Sequence, residues 1–256
     1  MLKIITIPAF NDNYIWLIHQ QDNNNCAVVD PGDAKVVLEV LQKNQLHLEA
    51  ILITHHHPDH IGGVKELVTA TGAAVYGPAN EAISELDYRL NESDSVELTK
   101  SNLNFSVYEV PGHTKGHIAF LTEDVLFSGD SLFAGGCGRL FEGTAAQMHS
   151  SLTKLAQLST DTKIYCAHEY TESNLNFALA VEPQNNDLIN RVKQVKIDRA
   201  NGKPTVPSLL SVEKATNPFL RCHIQSVIDV AKSRLDRQSI SEIETFATIR
   251  QWKDNF

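Results

Sequence analysis

Five short apolar runs constrain this chain more than any other feature: CAVVD (26–30), EAILIT (49–54), FSVYEV (105–110), DVLFSGD (124–130) and KIYCAH (163–168). Four of them give out at, or just before, an Asp or His, and FSVYEV runs into Pro111-Gly112-His113. Runs of this length bounded by such residues read as strands, with the chemistry-bearing side chains at their C-terminal ends. Helical patterns over 35–43 and 62–72 fall between them. Strands interleaved with helices predict a layered α/β domain. After residue 170 the texture becomes mainly helical. Leu188, Val192 and Val195 share one face, with Asn186 or Asp187 as cap and Gly202 as stop. Ile224, Val227, Ile228, Ala231 and Leu235 repeat the pattern, and Ser241 with Glu244 forms a capping box for a last helix. The expected organisation is an α/β domain over 1–170 and a smaller helical domain over 171–256.

Charge follows the same division. Residues 1–170 carry 10 Lys/Arg against 21 Asp/Glu, and residues 171–256 carry 12 against 10. The net −9 argues against nucleic acid, whose phosphates need a basic face. The slightly basic second part suits a small anionic ligand. No stretch approaches the ~18 apolar residues of a membrane span. The start, MLKIITIPAF, reads as a first strand rather than a leader, so a cytoplasmic protein is expected. Cys26, Cys137, Cys166 and Cys222 are scattered without a Cys-x-x-Cys pair and read as reduced thiols.

Four of the eleven histidines fall between positions 55 and 60, in Thr54-His55-His56-His57-Pro58-Asp59-His60. While the chain stays extended after Ile53, His55 and His57 project to one side and His56 to the other. Asp59 and His60 then begin a turn toward the helix containing Val64 and Leu67. Polar groups crowded at a strand end need a common partner. Two imidazoles, a carboxylate and a third imidazole can serve two metals from one loop. Three later strand ends add donors: His113 in Pro111-Gly112-His113-Thr114-Lys115-Gly116-His117, Asp130 in Gly129-Asp130-Ser131, and His168 in Ala167-His168-Glu169-Tyr170. Each is weak by itself; Asp130 would pass as a turn residue and His168 as a helix cap.

Taken together, His55-x-His57-x-Asp59-His60, His113, Asp130 and His168 resemble the metallo-β-lactamase superfamily, hydrolases with an αββα sandwich and a dinuclear site. That resemblance implies that His55, His57 and His113 hold one metal, that Asp59, His60 and His168 hold the other, and that Asp130 bridges both beside a water or hydroxide. Asp59 and Asp130, with that hydroxide, then form the catalytic centre. Neutral imidazoles and carboxylates suit two divalent ions, zinc first, with iron or manganese as alternatives.

A closer resemblance covers the whole chain. Asn11-Asp12-Asn13-Tyr14, Gly135-Gly136-Cys137-Gly138-Arg139-Leu140-Phe141-Glu142-Gly143-Thr144, His168-Glu169-Tyr170-Thr171 and Asn217-Pro218-Phe219 look like the glyoxalase II (hydroxyacylglutathione hydrolase) family. That family hydrolyses S-D-lactoylglutathione to D-lactate and glutathione, the second step of methylglyoxal detoxification, and completes its substrate site with a C-terminal helical domain. The implied substrate contacts are Arg139, Phe141, Tyr170, Arg250 and Lys253. Phe141 stands where some members have a tyrosine, so one substrate hydrogen bond is lost. A monomer acting on a glutathione thioester, without nucleic-acid or membrane partners, is the implied state.

From spacing alone Arg250 and Lys253 are ordinary cations near a helix C-terminus, where positive charge is favourable; the resemblance reverses that reading. Tyr170 reads equally as core. Cys137 reads as structural, and His117 as a residue behind the ligands or a packed strand histidine. Asp30 is a candidate to orient a ligand imidazole, with Asp12 a weaker one. The alternatives are another dinuclear hydrolase of the superfamily acting on a lactone, β-lactam, phosphodiester or other ester; a one-iron persulfide dioxygenase; and a metal-binding scaffold without turnover. His60 speaks against typical β-lactamases, and the long helical segment against the dioxygenase.

Overall fold

Period-two burial builds the first half of the molecule. β1 (Leu2–Ala9), β2 (Asn13–Gln20) and β3 (Asn25–Val29) run antiparallel in turn, and β4 (His47–Leu52), β5 (Ala74–Pro78) and β6 (Tyr88–Leu90) continue the sheet in parallel, in the order β1-β2-β3-β4-β5-β6. The crossover helices are α1 (Ala34–Asn44), α2 (Pro58–Ile61) and α3 (Val64–Thr71). Leu17, Val28, Ile51 and Val75 pack on one sheet face with Val37 and Leu41 of α1 and Val64 and Leu67 of α3. The alternate residues Trp16, Ile18, Ala27, Val29, Ala50 and Leu52 are also buried. Both faces of these strands are therefore covered, which is why they read as continuous apolar runs. A second sheet runs antiparallel through β7 (Ser95–Leu98), β8 (Leu103–Glu109), β9 (Ile118–Thr122) and β10 (Val125–Gly129). It contributes Phe105, Phe120 and Phe127, whose rings meet at centroid distances of 6.3 and 6.5 Å.

The computed structural model describes residues 1–256 and divides into two compact units. The first comprises Met1–Glu109 and Lys115–Gly129; the second comprises Val110–Thr114 and Asp130–Phe256.

The second unit contains a short hairpin, β11 (Leu132–Phe133) with β12 (Gly136–Cys137), and the antiparallel pair β13 (Lys163–Cys166) and β14 (Ser208–Leu209). Its helices are α4 (Ala145–Leu155), α5 (Thr171–Val181), α6 (Asn186–Ala200), α7 (Leu210–Thr216), α8 (Gln225–Leu235) and α9 (Glu242–Asp254). Leu188, Val192 and Val195 of α6 pack on Leu175 and Ala178 of α5 as the spacing predicts. The α6 cap is Asn185, one residue ahead of the expected Asn186 or Asp187, because its side chain accepts from Leu188 N–H. Gly202, with φ +67°, lies just beyond the helix end. On α8, Val227 and Ala231 are buried but Leu235, in the last turn, is 39% exposed, so the apolar face stops one turn short of the expected one. The Ser241–Glu244 capping box forms in both directions and starts α9.

One buried charge network shapes the 133–138 segment. Glu213, fully buried, accepts from Arg191, Ser208, Gly135 N–H and Asn217, and Asn217 also donates to the Phe133 and Gly136 carbonyls. A carboxylate with this many donors has its desolvation offset and holds the backbone leading to Arg139 in one conformation.

Candidate metal centre

β3 and β4 run parallel, so their C-terminal ends lie side by side, and the first four candidate ligands follow directly. Asp30 ends β3 in the left-handed region at φ 51°, which Asp tolerates better than most residues. Its carboxylate accepts from Thr54 N–H at 2.8 Å and from Thr54 Oγ1 at 2.7 Å. Thr54 Oγ1 also lies 3.1 Å from His55 Nδ1. A carboxylate only accepts, so the hydroxyl gives its proton to Asp30 and takes the Nδ1–H of His55. His55 Nε2 then carries a lone pair, 3.0 Å from His57 Nδ1.

His60, in α2, repeats the pattern. Its Nδ1 is 3.0 Å from Asp30 Oδ2, and its Nε2 is 3.5 Å from Asp59 Oδ2. Asn13 Nδ2 donates to the same Asp59 oxygen at 2.9 Å. The close approach needs Gly32: a Cβ there would sit 1.9 Å from the Asp59 carbonyl oxygen. Asp30 thus lies beside His60, and Asn13 of the 11–14 motif contacts Asp59. His56 turns to Glu81, whose carboxylate accepts from its backbone N–H at 2.5 Å and lies 2.8 Å from its Nδ1. His117, fully buried, stacks on His55 with centroids 4.7 Å apart and planes at 20°.

The other three candidate ligands belong to the second unit. His113 Nδ1 lies 2.8 Å from the Arg139 carbonyl, an acceptor only, so Nδ1 carries the proton. Its Nε2 lone pair faces Asp130 Oδ2 at 3.4 Å. His168 Nε2 lies 3.4 Å from the other oxygen, Oδ1. Asp130 therefore offers one oxygen to each of two imidazoles.

The fit to a metal follows from these protons. For His113, Nδ1–H points at the Arg139 carbonyl and the opposite nitrogen faces a carboxylate; His60 Nδ1 lies 3.0 Å from Asp30 Oδ2 and its Nε2 3.5 Å from Asp59 Oδ2. A lone pair held against a carboxylate in a buried site is repulsive until a cation or a proton lies between them. Imidazoles oriented by an oxygen behind Nδ1 are the arrangement by which proteins present Nε2 to a divalent ion. His55, His57, Asp59 and His60 in the first unit and His113, Asp130 and His168 in the second are donors of the kind a divalent ion takes.

The substrate-contact candidates lie in the second unit. Arg139 and Phe141 are exposed, the guanidinium carbon 5.6 Å from the ring centroid, and the Phe141 ring meets His113 edge-on at 5.3 Å. Tyr170 is 36% exposed and stacks on His168 at 4.7 Å with planes at 3°, so it is not plain core. Arg250 differs from its expectation. It is 5% exposed, and its guanidinium donates to the Cys137 carbonyl at 2.9 Å and to Asp254 at 3.0 Å. The first bond ties α9 to β12, the second lies within α9, and together they occupy much of the fork that was to grip a substrate carboxylate. Asp254 Oδ1 also lies 3.7 Å from Arg139 Nε, so one carboxylate serves a buried and an exposed cation. Lys253 is half-buried, its Nζ 5.3 Å from the Phe177 centroid; burial, then the Arg250 charge, lower it to about 8.

Burial pushes the Cys166 thiol up to about 12, and it raises Cys137 against the opposing pull of Arg250. Neither is an activated nucleophile, which agrees with a structural role for Cys137. Asn13, Thr54, Glu81 and Asp254 were not singled out as site residues from sequence. Asn13 and Thr54 lie inside motifs quoted above, and Asp254 follows the candidate Lys253; nothing in the sequence marks Glu81.

Residues 10–168 match the family described as Metallo-beta-lactamase superfamily, and residues 169–256 match Hydroxyacylglutathione hydrolase C-terminus. The hydroxyacylglutathione hydrolase of Pseudomonas fluorescens is 53% identical over 257 residues, covering 100% of both chains. This chain belongs to the hydroxyacylglutathione hydrolase family. Its fold is the αββα metallo-β-lactamase fold with a C-terminal helical region, and it is an enzyme of the hydrolase class. Among solved structures, ETHE1 from Myxococcus xanthus is similar with a TM-score of 0.68 at 25% identity, covering 98% of this chain and 90% of that one. The protein TTHA1623, solved in a di-iron-bound form, gives a TM-score of 0.59 at 26% identity, covering 85% of this chain and 100% of that one. No helix is long and apolar enough to cross a membrane.

Proposed function

We propose that this hydroxyacylglutathione hydrolase converts S-D-lactoylglutathione and related 2-hydroxyacylglutathione thioesters to the hydroxy acid and glutathione. The observation that carries this reading is the 53% identity, over 100% of both chains, to the hydroxyacylglutathione hydrolase of Pseudomonas fluorescens, and the buried His113, with the Arg139 carbonyl behind Nδ1 and Asp130 before Nε2, supports it. His55, His57 and His113 would hold one ion, Asp59, His60 and His168 the other, and Asp130 would be shared, all of them imidazole or carboxylate donors. Zinc suits imidazole and carboxylate donors, and iron is the alternative that the di-iron relative supports. When bound, such ions polarise a carbonyl and acidify a water to near neutral pH.

The chain's own residues do the rest. Asp30, through Thr54, directs the Nδ1–H of His55 so that its Nε2 is the lone-pair nitrogen, and the Arg139 carbonyl does the same for His113. Asn13 orients Asp59 by donating to it. Arg139 and Lys253 attract the carboxylates of glutathione, and Tyr170 and Phe141 line the approach. Arg250 positions Asp254, and through it Arg139. A thiolate leaves without needing much protonation, so no general acid is assigned. The helical residues 171–256 form the substrate domain, and the enzyme acts as a cytoplasmic monomer.

The test is a panel of S-D-lactoylglutathione, a lactone, a β-lactam and a phosphodiester with metal-loaded protein. Thioester turnover well above the others supports the reading. Equal or greater turnover of another substrate overturns the substrate assignment.

A further inference from the structure

Glu81 belongs to no ligand set, yet it makes the shortest contact that the histidine loop receives. It lies in the segment after β5, and its side chain is 2% exposed. One oxygen, Oε2, takes both the backbone N–H of His56 and the His56 ring at Nδ1. The N–H of His56 lies in the peptide plane that carries the Cα atoms of His55 and His56, so the tie fixes the backbone between the candidate ligands His55 and His57 on the His55 side. The segment is anchored in turn by Arg89, whose guanidinium donates to the Glu81 and Ile83 carbonyls. The carboxylate has room because residue 116 is glycine: a Cβ there would lie 2.5 Å from Glu81 Cγ and 2.8 Å from the Asn80 carbonyl oxygen. The glycine is in the Pro-Gly-His-Thr-Lys-Gly-His run, so its absence of a side chain serves a group that the run itself does not contain.

We propose that Glu81 is a positioning residue for metal binding, clamping the His55–His57 loop through the His56 backbone and ring. The inference rests on the metal-ligand reading above. A buried carboxylate accepting from a backbone N–H and an imidazole is a strong, geometrically specific tie. It holds the loop's two imidazoles at a set separation before any ion arrives. Groups of this kind, behind the ligands, alter metal affinity by about 10- to 100-fold when removed. Gly116 supports the same clamp from the opposite side.

The experiment is competition of metal-free protein with a chromophoric chelator for Zn(II), with thermal unfolding of the same metal-free samples. Glu81→Ala should weaken the Zn(II) affinity of the tighter or weaker site by about tenfold or more. Glu81→Gln keeps the volume and one acceptor, so it should fold and lose less. Gly116→Ala should match the Glu81 variants in direction. Val37→Ala, a core change under α1, should lower the unfolding temperature and leave Zn(II) affinity unchanged. Wild-type affinity in both Glu81 variants would overturn the proposal, as would an affinity loss in Val37→Ala equal to theirs. Thioester hydrolysis by the wild type is scored separately: its absence overturns the substrate reading while the Zn(II) comparison still decides the role of Glu81.

Discussion

The histidine loop at 54–60 and the C-terminal turn at 250–254 present opposite problems of inference. In the loop, spacing and structure agree: His55 and His57 come together, His56 turns to Glu81, and His60 backs onto Asp30. In the turn, cations three residues apart on a helix meet different fates. Arg250 is buried among backbone and carboxylate partners, whereas Lys253 keeps partial exposure. Metal ligands come from a few adjacent residues at a strand end, so a local pattern carries their geometry. A cation's role depends on what the rest of the fold places beside it. Arg250's partner, the Cys137 carbonyl, is 113 residues away.

The comparison is most easily broken at Asp130. Asp130→Ala removes the carboxylate that faces both His113 and His168, and turnover is expected to fall by about a thousandfold or more. Near-normal activity would show that the second unit's three donors are not ligands.

At the C-terminal turn, Arg250→Ala should destabilise the protein by roughly 1–3 kcal/mol, because it leaves the Cys137 carbonyl and Asp254 without their donor. It should also raise KM, through the loss of Asp254's position. A variant with unchanged unfolding temperature and a raised KM would return Arg250 to direct substrate contact. Lys253→Ala should raise KM about fivefold with kcat little changed, the effect of a partly exposed ion pair near 1 kcal/mol.

The pH dependence sharpens the assignment of Lys253. With its folded value lowered to about 8, the ammonium is present below that pH and neutral above it. KM for the glutathione thioester should therefore rise as pH increases through about 8, and Lys253→Arg should flatten the rise. A wild-type KM that is level across this range would detach Lys253 from the substrate. The smallest effect belongs to Phe141→Tyr: a restored hydroxyl should lower KM by about threefold, one net hydrogen bond. No change would mean that this exposed ring does not meet the ligand.

Much of the fold was legible because each strand announces itself twice, by an apolar run and by the polar residue that ends it. KIYCAH, for example, becomes β13 followed by His168. Caps shifted by one residue, since Asn185, Asn186 and Asp187 are all competent and only the fold decides which side chain reaches Leu188 N–H. The candidate ligands stand out in the sequence, and so does Asp30. Thr54 and Asn13 were visible as motif residues without a role, because a hydroxyl or amide acquires one only when a proton donor or acceptor is placed against it. Glu81 was invisible: it reaches His56 across 25 residues, from a segment with no pattern of its own. The exposure of Leu235 was equally hidden, since helical periodicity marks a face but not where its cover ends.

The most direct measurement is a Zn(II) titration of metal-free protein with S-D-lactoylglutathione hydrolysis followed at each addition. Activity should be absent at the start, climb with added metal, and level off at about two equivalents if the proposed pair of donor sets holds. Folded protein that binds two equivalents and leaves the thioester intact would contradict the account, as would full hydrolysis by protein that holds no metal.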